Sequence, residues 1–191
     1  MKKAAWSRLA LLAAAVLLNT GCWVYSLHPL VEPKDSLSEP TLTGTWEREG
    51  EDKGTLTITP ADPGYQVEYL DKKDGKTSKL RGALIQLGPN RFLDLDPHDN
   101  ALEGLPEPVK AHLLPAHSFW KVTLSGDTLR LTPINAEWME KGVKAKRLVI
   151  AHEMIDREVV LRAATPELRR FVQRYAGPAF PDQDAWAFRK K

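Results

Sequence analysis

Residues 55–69 read TLTITPADPGYQVEY, and this stretch decides the fold class. Leu56 and Ile58 alternate with threonine, and a second alternation of apolar and polar residues runs from Tyr65 to Tyr69. A period of two is typical of a strand that buries one face. The Asp-Pro-Gly sequence between the two runs favours a tight turn, because proline and glycine suit turn conformations. The stretch therefore predicts a pair of antiparallel strands.

Similar strand patterns, separated by turn signals, continue along the chain. They predict strands at Phe92–Leu95, Phe119–Leu124 and Thr128–Leu131, and a last strand within Ala145–Ile150 or Glu158–Leu161. Around Gly82 the apolar phase changes, which predicts a bulge or a sharp bend in a long strand. Roughly eight antiparallel strands in sequence bury their edges best by closing into a barrel. The predicted fold class is mainly β, an antiparallel meander that forms a closed or half-open barrel.

A C-terminal α-helix is predicted over about residues 165–176 and should pack on this barrel. Thr165 is a favourable N-cap, and Gly177 with Pro178 ends the helix. Its apolar face has the spacing i, i+3, i+4, i+7 and consists of Leu168, Phe171, Val172 and Tyr175. Three arginines lie off that face, where a solvated surface is expected: Arg169, Arg170 and Arg174. A shorter helix is predicted at Ala136–Lys141, and the segment from Trp186 is expected to be a mobile tail.

The first 22 residues have the layout of an export signal. Basic residues between positions 2 and 8 precede the apolar run Leu9–Leu18, and the only cysteine, Cys22, directly follows a glycine. As a helix, this run spans roughly 15 Å, about half of the hydrocarbon core of a bilayer. A secretory signal is therefore favoured over a membrane-spanning helix.

The residues Thr20, Gly21 and Cys22 resemble the processing site of bacterial lipoproteins, in which a lipid-modified cysteine becomes the new N-terminus. The resemblance implies a type II signal peptide over residues 1–21 and a palmitate-type lipid anchor on Cys22. Asn19 stands where that family usually has leucine, so an ordinary secretory signal that leaves a free thiol is the alternative. Trp23 does not resemble the aspartate that retains such proteins on an inner membrane. The implied location is extracytoplasmic, on the outer membrane if the source has one.

The mature chain is expected to be one domain behind a linker. Residues 22–40 are predicted to be a lipid-anchored tether, because they are rich in proline, serine and charge without periodicity. Residues 41–191 are predicted to form a single mainly β domain that includes the C-terminal helix. Removing residues 1–21 leaves 24 of the 27 basic residues against 25 acidic ones. This balance offers no electrostatic case for nucleic acid as a partner.

Two short stretches carry further resemblances. SLHPL at residues 26–30, followed by GTW at residues 44–46, resembles an uncharacterised family of bacterial lipoproteins, which implies no particular activity. The same GTW resembles the glycine-x-tryptophan signature in the first strand of lipocalins, where the tryptophan closes the barrel floor. That resemblance implies a lipocalin-like barrel with a basic side chain from a late strand over Trp46, for which Arg147 or Arg162 is available.

Aromatic residues on the strand faces are the main indication of a ligand site. Trp46, Tyr65, Tyr69 and Trp120 are predicted to line an apolar cavity inside the barrel. The alternative is a filled core, since most apolar strand faces only pack.

The chain has no recognisable catalytic signature. His152 and Glu153 begin like a zinc-protease helix, but Asp156 stands where that motif requires its second histidine. A second group, Asp94, Asp96, His98 and Asp99 with His112 and His117, contains enough oxygen and nitrogen donors for a divalent cation. The alternation of Asp94, Leu95 and Asp96 is, however, what a half-solvated strand presents. No catalytic residue, metal or cofactor is therefore predicted.

The sequence thus predicts a membrane-anchored extracytoplasmic lipoprotein that is not an enzyme. Its expected role is a binding module for an apolar small molecule or another envelope component, with the membrane as a partner through Cys22. The alternative is a structural or interaction lipoprotein with a filled core, which uses the loop Pro97–Pro108 to contact an envelope protein. A metal-dependent hydrolase built on Asp94, Asp96, His98 and His117 is the least favoured class.

Overall fold

The computed structural model describes residues 23–50, 54–110, 112–156 and 158–191. The predicted signal peptide and the predicted lipid attachment site Cys22 lie outside these residues. Eight antiparallel strands form a closed barrel, which confirms the predicted fold class. Numbered in chain order, they are β2 (Gly44–Arg48), β3 (Gly54–Pro60), β4 (Tyr65–Asp71), β5 (Thr77–Leu87), β6 (Asn90–Pro97), β7 (Ser118–Ser125), β8 (Thr128–Pro133) and β11 (Trp186–Lys190).

A second layer, made of a small sheet and helices, covers part of the barrel. The sheet has the order β1 (Val24–Ser26), β10 (Glu158–Leu161) and β9 (His152–Ile155), and its β1–β10 pair is parallel. The helices are α1 (Glu107–Lys110), α2 (Ala136–Lys144) and α3 (Thr165–Arg174), with 3₁₀ turns at Pro33–Asp35, Pro40–Leu42, Asp99–Leu102 and Asp182–Asp184. In the described part of the chain, no helix combines the length and apolar content that crossing a bilayer requires.

The buried apolar side chains form two clusters, one on each side of the barrel wall. The first fills the barrel interior and includes Leu42, Trp46, Ile58, Tyr65, Leu84, Leu93, Trp120, Leu129 and Phe188. The second lies between the outer face of β5 to β7 and the covering layer, and includes Leu30, Ile85, Phe92, Phe119, Met139, Leu161, Phe171 and Phe180. The buried members of both clusters lie between Val24 and Phe188, so residues 23–191 contain a hydrophobic core of their own and can be studied as one folded segment.

The change of apolar phase near Gly82 does not mark a bulge. The β4–β5 and β5–β6 registers run without interruption through Gly82, which pairs with Tyr65 on one side and Leu95 on the other. The phase changes because both faces of β5 are buried: Leu84 belongs to the interior cluster, and Ile85 belongs to the outer one. A strand that is covered on both sides reads as a continuous apolar run rather than as an alternation.

The last barrel strand is not where the sequence predicted it. Residues 145–150 form no strand, and Glu158–Leu161 belongs to the small sheet. The barrel closes instead with β11, which pairs with both β8 and β2. The expectation of a mobile C-terminal tail is therefore wrong, because Phe188 is buried in the barrel interior.

The tether predicted over residues 22–40 is folded from Val24 onwards. Leu30 is 0% exposed within the outer cluster, and the backbone N–H of Leu37 donates to the carbonyl of Leu84 at 2.8 Å. Helix α3 also binds this segment: the Thr165 hydroxyl donates to Pro29 O at 2.7 Å, so Thr165 is not the N-cap. Arg169 was expected to be solvated, but it donates to Leu30 O and pairs with Asp35 at 2.7 Å.

Candidate functional site

One end of the barrel, called here the closed end, is blocked by Trp46. The 3₁₀ turn Pro40–Leu42 lies directly before β2, and the indole Nε1 of Trp46 donates to Leu42 O at 3.0 Å. The ammonium of Lys190 lies 5.0 Å from the centre of the Trp46 ring, within the range of a cation–π contact. The basic residue over this tryptophan is therefore Lys190 of β11. Arg162, which was predicted as one candidate for this position, instead pairs with Glu153 of the small sheet.

Tyr65 reinforces the closed end. Its side chain is buried at the start of β4, and its hydroxyl accepts a hydrogen bond from the Glu39 backbone N–H at 2.6 Å. The hydroxyl also lies 3.3 Å from Leu37 O, to which it donates. The segment from Leu37 to Leu42 is thus fastened across the barrel end by two interior aromatic residues, Trp46 and Tyr65.

The opposite end, called here the mouth, is filled by a group of aromatic rings. Tyr65 and Tyr69 are four residues apart on β4, roughly 13 Å at the usual strand rise, so they lie towards opposite ends. At the mouth Trp186 contacts Tyr69 and Trp120, with ring centres 5.9 and 5.3 Å apart. Trp23 completes the group at 5.5 Å from Trp120 and 6.2 Å from Trp186.

The guanidinium of Arg48 lies among the mouth aromatics. The guanidinium carbon of Arg48 is 4.0 Å from the centre of the Trp186 ring, and its Nη1 donates to the Tyr69 hydroxyl at 3.4 Å. Sequence reasoning missed Trp23, Arg48 and Trp186, because the first two stand outside the clear alternations and the third was assigned to a tail. The alternation of Trp186, Phe188 and Lys190 was the available signal.

The four aromatic residues predicted to line a cavity therefore do not meet at one site. Trp46 and Tyr65 lie at the closed end, whereas Tyr69 and Trp120 lie at the mouth. Trp46 is 0% exposed, and Tyr65 and Trp120 are buried among the other interior side chains. A cleft of about 470 Å³ lies at the closed end, and its lining combines the polar residues Glu39 and Arg91 with the interior residues Leu84 and Val122.

Asp94 has a structural environment that its sequence context did not reveal. It is 3% exposed on the covered face of β6, and its Oδ2 accepts from the backbone N–H groups of Leu30 at 2.7 Å and Val31 at 3.2 Å. Its Oδ1 is 3.0 Å from Nδ1 of His117. The prediction of a half-solvated strand fails here, because the outer face of β6 lies under the N-terminal segment.

His117 is tuned by this carboxylate. Burial is the largest influence and opposes the charged imidazolium, but the hydrogen bond and charge of Asp94 outweigh it, so the pKa of His117 is raised above its usual value of 6.5. His117 is also tied to the small sheet, since its backbone exchanges two hydrogen bonds with Ser26 at 2.8 and 2.9 Å. Asp94 and His117 together fasten residues 26–31 to the barrel.

Two other members of the acidic and histidine group, Asp96 and His98, have separate partners. Asp96 pairs with Arg81, and Nδ1 of His98 accepts from the Asn100 N–H at 3.4 Å. Nδ1 of His152 lies 2.8 Å from Ile150 O. Among the described residues, no group of three or more histidine, cysteine, aspartate or glutamate side chains is arranged to hold a metal ion.

The fold and the geometry of its two ends define a class: a closed eight-stranded antiparallel barrel with an aromatic mouth and a covering layer of helices. Comparison of the chain with protein-family models, curated proteins and solved structures finds no match.

Proposed function

We propose that this protein is an extracytoplasmic lipoprotein, anchored through Cys22, that works as a non-enzymatic binding module at the membrane surface. The position of Trp23 carries the proposal. Trp23 sits among the rings of the mouth, and consecutive Cα atoms are about 3.8 Å apart, so a lipid on the preceding residue starts at the mouth. Where the source has an outer membrane, that membrane is the proposed location.

The surroundings of the mouth support a membrane-facing orientation. β6 ends and β7 begins at this end, so the loop 98–117 projects from it. Four large apolar side chains of this loop are exposed: Leu105, Val109, Leu113 and Leu114, the last with 77% of its surface free. Tryptophan and tyrosine favour the membrane interface because they combine an apolar ring with a polar atom. The mouth therefore suits contact with the bilayer that the anchor provides.

Metabolic labelling with a fatty acid tests the anchor directly. The full chain should take up label in a bacterial host that processes lipoproteins, and Cys22→Ser should not. Ser118→Cys, which adds a thiol to the folded domain, combined with Cys22→Ser, controls for nonspecific acylation of thiols. Label that persists in Cys22→Ser, or a wild-type chain without label, contradicts the anchor.

A second function is favoured by the filled interior. With Trp46, Tyr65 and Trp120 buried against their neighbours, the barrel suits a structural or interaction lipoprotein that contacts an envelope protein through its surface. Native mass spectrometry of residues 23–191, compared with the denatured mass, separates the two roles. An organic mass lost on denaturation supports the binding module. A bare chain favours the interaction protein, and a bound metal ion revives the hydrolase class.

A further inference from the structure

The covering layer contains a groove that lies outside the barrel. Helix α3 and residues 143–152 border it, and its volume is about 820 Å³, within the range of small-molecule sites. Leu148 and Phe171 are buried beneath it, and Tyr175 is half-buried beside them. Val149 stands on the rim with 93% of its surface exposed. The groove thus offers an apolar and aromatic floor to a ligand.

Four cations surround this apolar floor: Lys146, Arg147, Arg170 and Arg174. Among the described residues, none of the four forms an ion pair or donates a side-chain hydrogen bond to a protein group, although Arg174 lies 5.4 Å from the centre of the Tyr175 ring. One carboxylate, Glu167, also lines the groove. The excess of unpaired positive charge favours an anion.

The other cations of the described chain show how unusual this arrangement is. On the same helix, Arg169 donates to Leu30 O and pairs with Asp35. The arginine that faces the N-terminal segment therefore has protein partners, in contrast to the two arginines that line the groove. Lys141 and Lys144 of α2 pair with Glu137 and Glu140 one helical turn earlier. The groove therefore collects cations that the fold leaves without partners.

The turn that carries two of these cations has a defined shape. Lys146 adopts a left-handed backbone conformation with φ 54°, which is uncommon for a residue other than glycine. The N–H groups of Arg147 and Leu148 both donate to Gly142 O, at 2.9 and 3.2 Å. A Cβ at Gly142 would lie 2.3 Å from the Leu148 side chain, so the turn packs closely against α2. The cations of this turn are held on a fixed support.

We infer that this groove binds an amphiphilic small molecule with a phosphate group and a short apolar part. Arginine recognises phosphate well because its planar guanidinium donates two parallel hydrogen bonds to the oxygens. The apolar part would lie on Leu148, Phe171 and Tyr175. The inference rests on the proposed role as a binding module, for which it names a ligand class, but it does not depend on the lipid anchor.

Titration calorimetry on residues 23–191 tests the groove with three probes. Dihexanoyl phosphatidic acid, kept below its micelle concentration, should bind. Dihexanoyl phosphatidylcholine, whose phosphate is masked by choline, and inorganic phosphate, which has no apolar part, should each bind at least about tenfold more weakly. In amide NMR spectra, phosphatidic acid should shift Val149 and Ile150. Phosphatidic acid and phosphatidylcholine binding equally, or inorganic phosphate binding as tightly as phosphatidic acid, overturns the inference.

Matched variants locate the site. Arg170→Gln and Arg174→Gln should each weaken phosphatidic acid binding by about tenfold, as expected for the loss of one charge-assisted contact. Lys146→Gln should weaken it less, since lysine has no planar fork. Lys73→Gln, on the β4–β5 connection, removes an exposed lysine whose side chain has no ion pair within the described part of the chain, and should change nothing. Unchanged binding in both arginine variants overturns the groove assignment.

The two proposals fail separately. The segment used for calorimetry lacks Cys22, so an absence of phosphatidic acid binding contradicts the groove proposal and has no bearing on the lipid anchor. A wild-type chain that takes up no fatty-acid label contradicts the anchor and has no bearing on the groove.

Discussion

The two ends of the barrel are closed by different kinds of interaction. At the closed end, Trp46 and Tyr65 form directional hydrogen bonds with the backbone of residues 37–42. At the mouth, Trp23, Trp120 and Trp186 meet mainly through ring contacts. A hydrogen bond constrains position and angle, whereas ring contacts tolerate several geometries. The closed end therefore constrains residues 37–42 in position and angle, whereas the contacts at the mouth are less directional.

The largest effect is expected from Trp46→Ala. The ring is fully buried and bonded to Leu42 O, so its removal leaves a cavity and an unpaired carbonyl. The free energy of unfolding should fall by about 3–5 kcal/mol, measured by urea denaturation of residues 23–191. Trp186→Ala at the half-buried mouth is the matched control and should cost clearly less. Equal losses of unfolding free energy in the two variants would show that the closed end and the mouth contribute equally to stability.

Trp23→Ala should have a smaller effect on stability and a larger one on access. Trp23 is half-buried and contacts two other indoles, so the loss should be about 1–2 kcal/mol. Because the mouth loses one of its aromatic rings, an apolar dye such as anilinonaphthalene sulfonate should bind to Trp23→Ala more strongly than to the wild type. If dye fluorescence is unchanged in Trp23→Ala, or increases equally in Lys73→Gln, Trp23 does not limit access to the apolar residues at the mouth.

The attachment of the N-terminal segment near the mouth should depend on pH. The pKa of His117 is raised in the folded chain, because Asp94 outweighs burial, so the protonated imidazole favours folding. Its contribution is fully present below the unfolded pKa of about 6.5 and is lost as pH rises through the folded value. Unfolding free energy measured across this range should decline in the wild type and decline less in His117→Asn. Identical slopes would exclude His117 as the source.

The smallest effect is expected from Lys190→Met at the closed end. Methionine keeps an apolar stem over Trp46 but removes the ammonium, so the cation–π contact and the hydrogen bond to Thr41 O at 3.3 Å are lost together. The free energy of unfolding should fall by roughly 0.5–1 kcal/mol. Arg189→Met, on the neighbouring exposed position, is the control and should fall within experimental error of the wild type. If Lys190→Met lowers the free energy of unfolding by more than Trp23→Ala does, Lys190 stabilises the closed end by more than its contact with the Trp46 ring.

The sequence predicted the elements that follow a local rule. The hairpin of β3 and β4 and the apolar face of α3 have clear periods, and both form where expected. β11 was missed because it pairs with residues that are 55 or more positions away in the chain, and no local pattern encodes such a closure. Residues 24–42 were missed because an aperiodic segment also packs when side chains such as Leu30 reach a covered sheet face.

The candidate site was predicted only in part, for a related reason. The strand periods placed Trp46, Tyr65 and Trp120 in the interior, but a period does not say at which end of a barrel a residue lies. Asp94 was expected to be solvated because the alternation of Asp94, Leu95 and Asp96 is typical of a strand with one exposed face. The pattern does not show that the N-terminal segment covers the outer face of β6. The prediction that Arg170 and Arg174 are solvated is correct, since both are exposed, but a helix pattern cannot show that residues 143–152 lie beside them.

The closure by β11 has a consequence for how the chain matures. β2 pairs with residues 188–190, and β8 pairs with residues 186–189, so each of these two strands lacks one neighbour until β11 has been made. Unpaired strand edges attract other chains. A chain that has been made only as far as residue 185 therefore carries two unpaired strand edges, and a chain truncated there would keep them and be prone to aggregate.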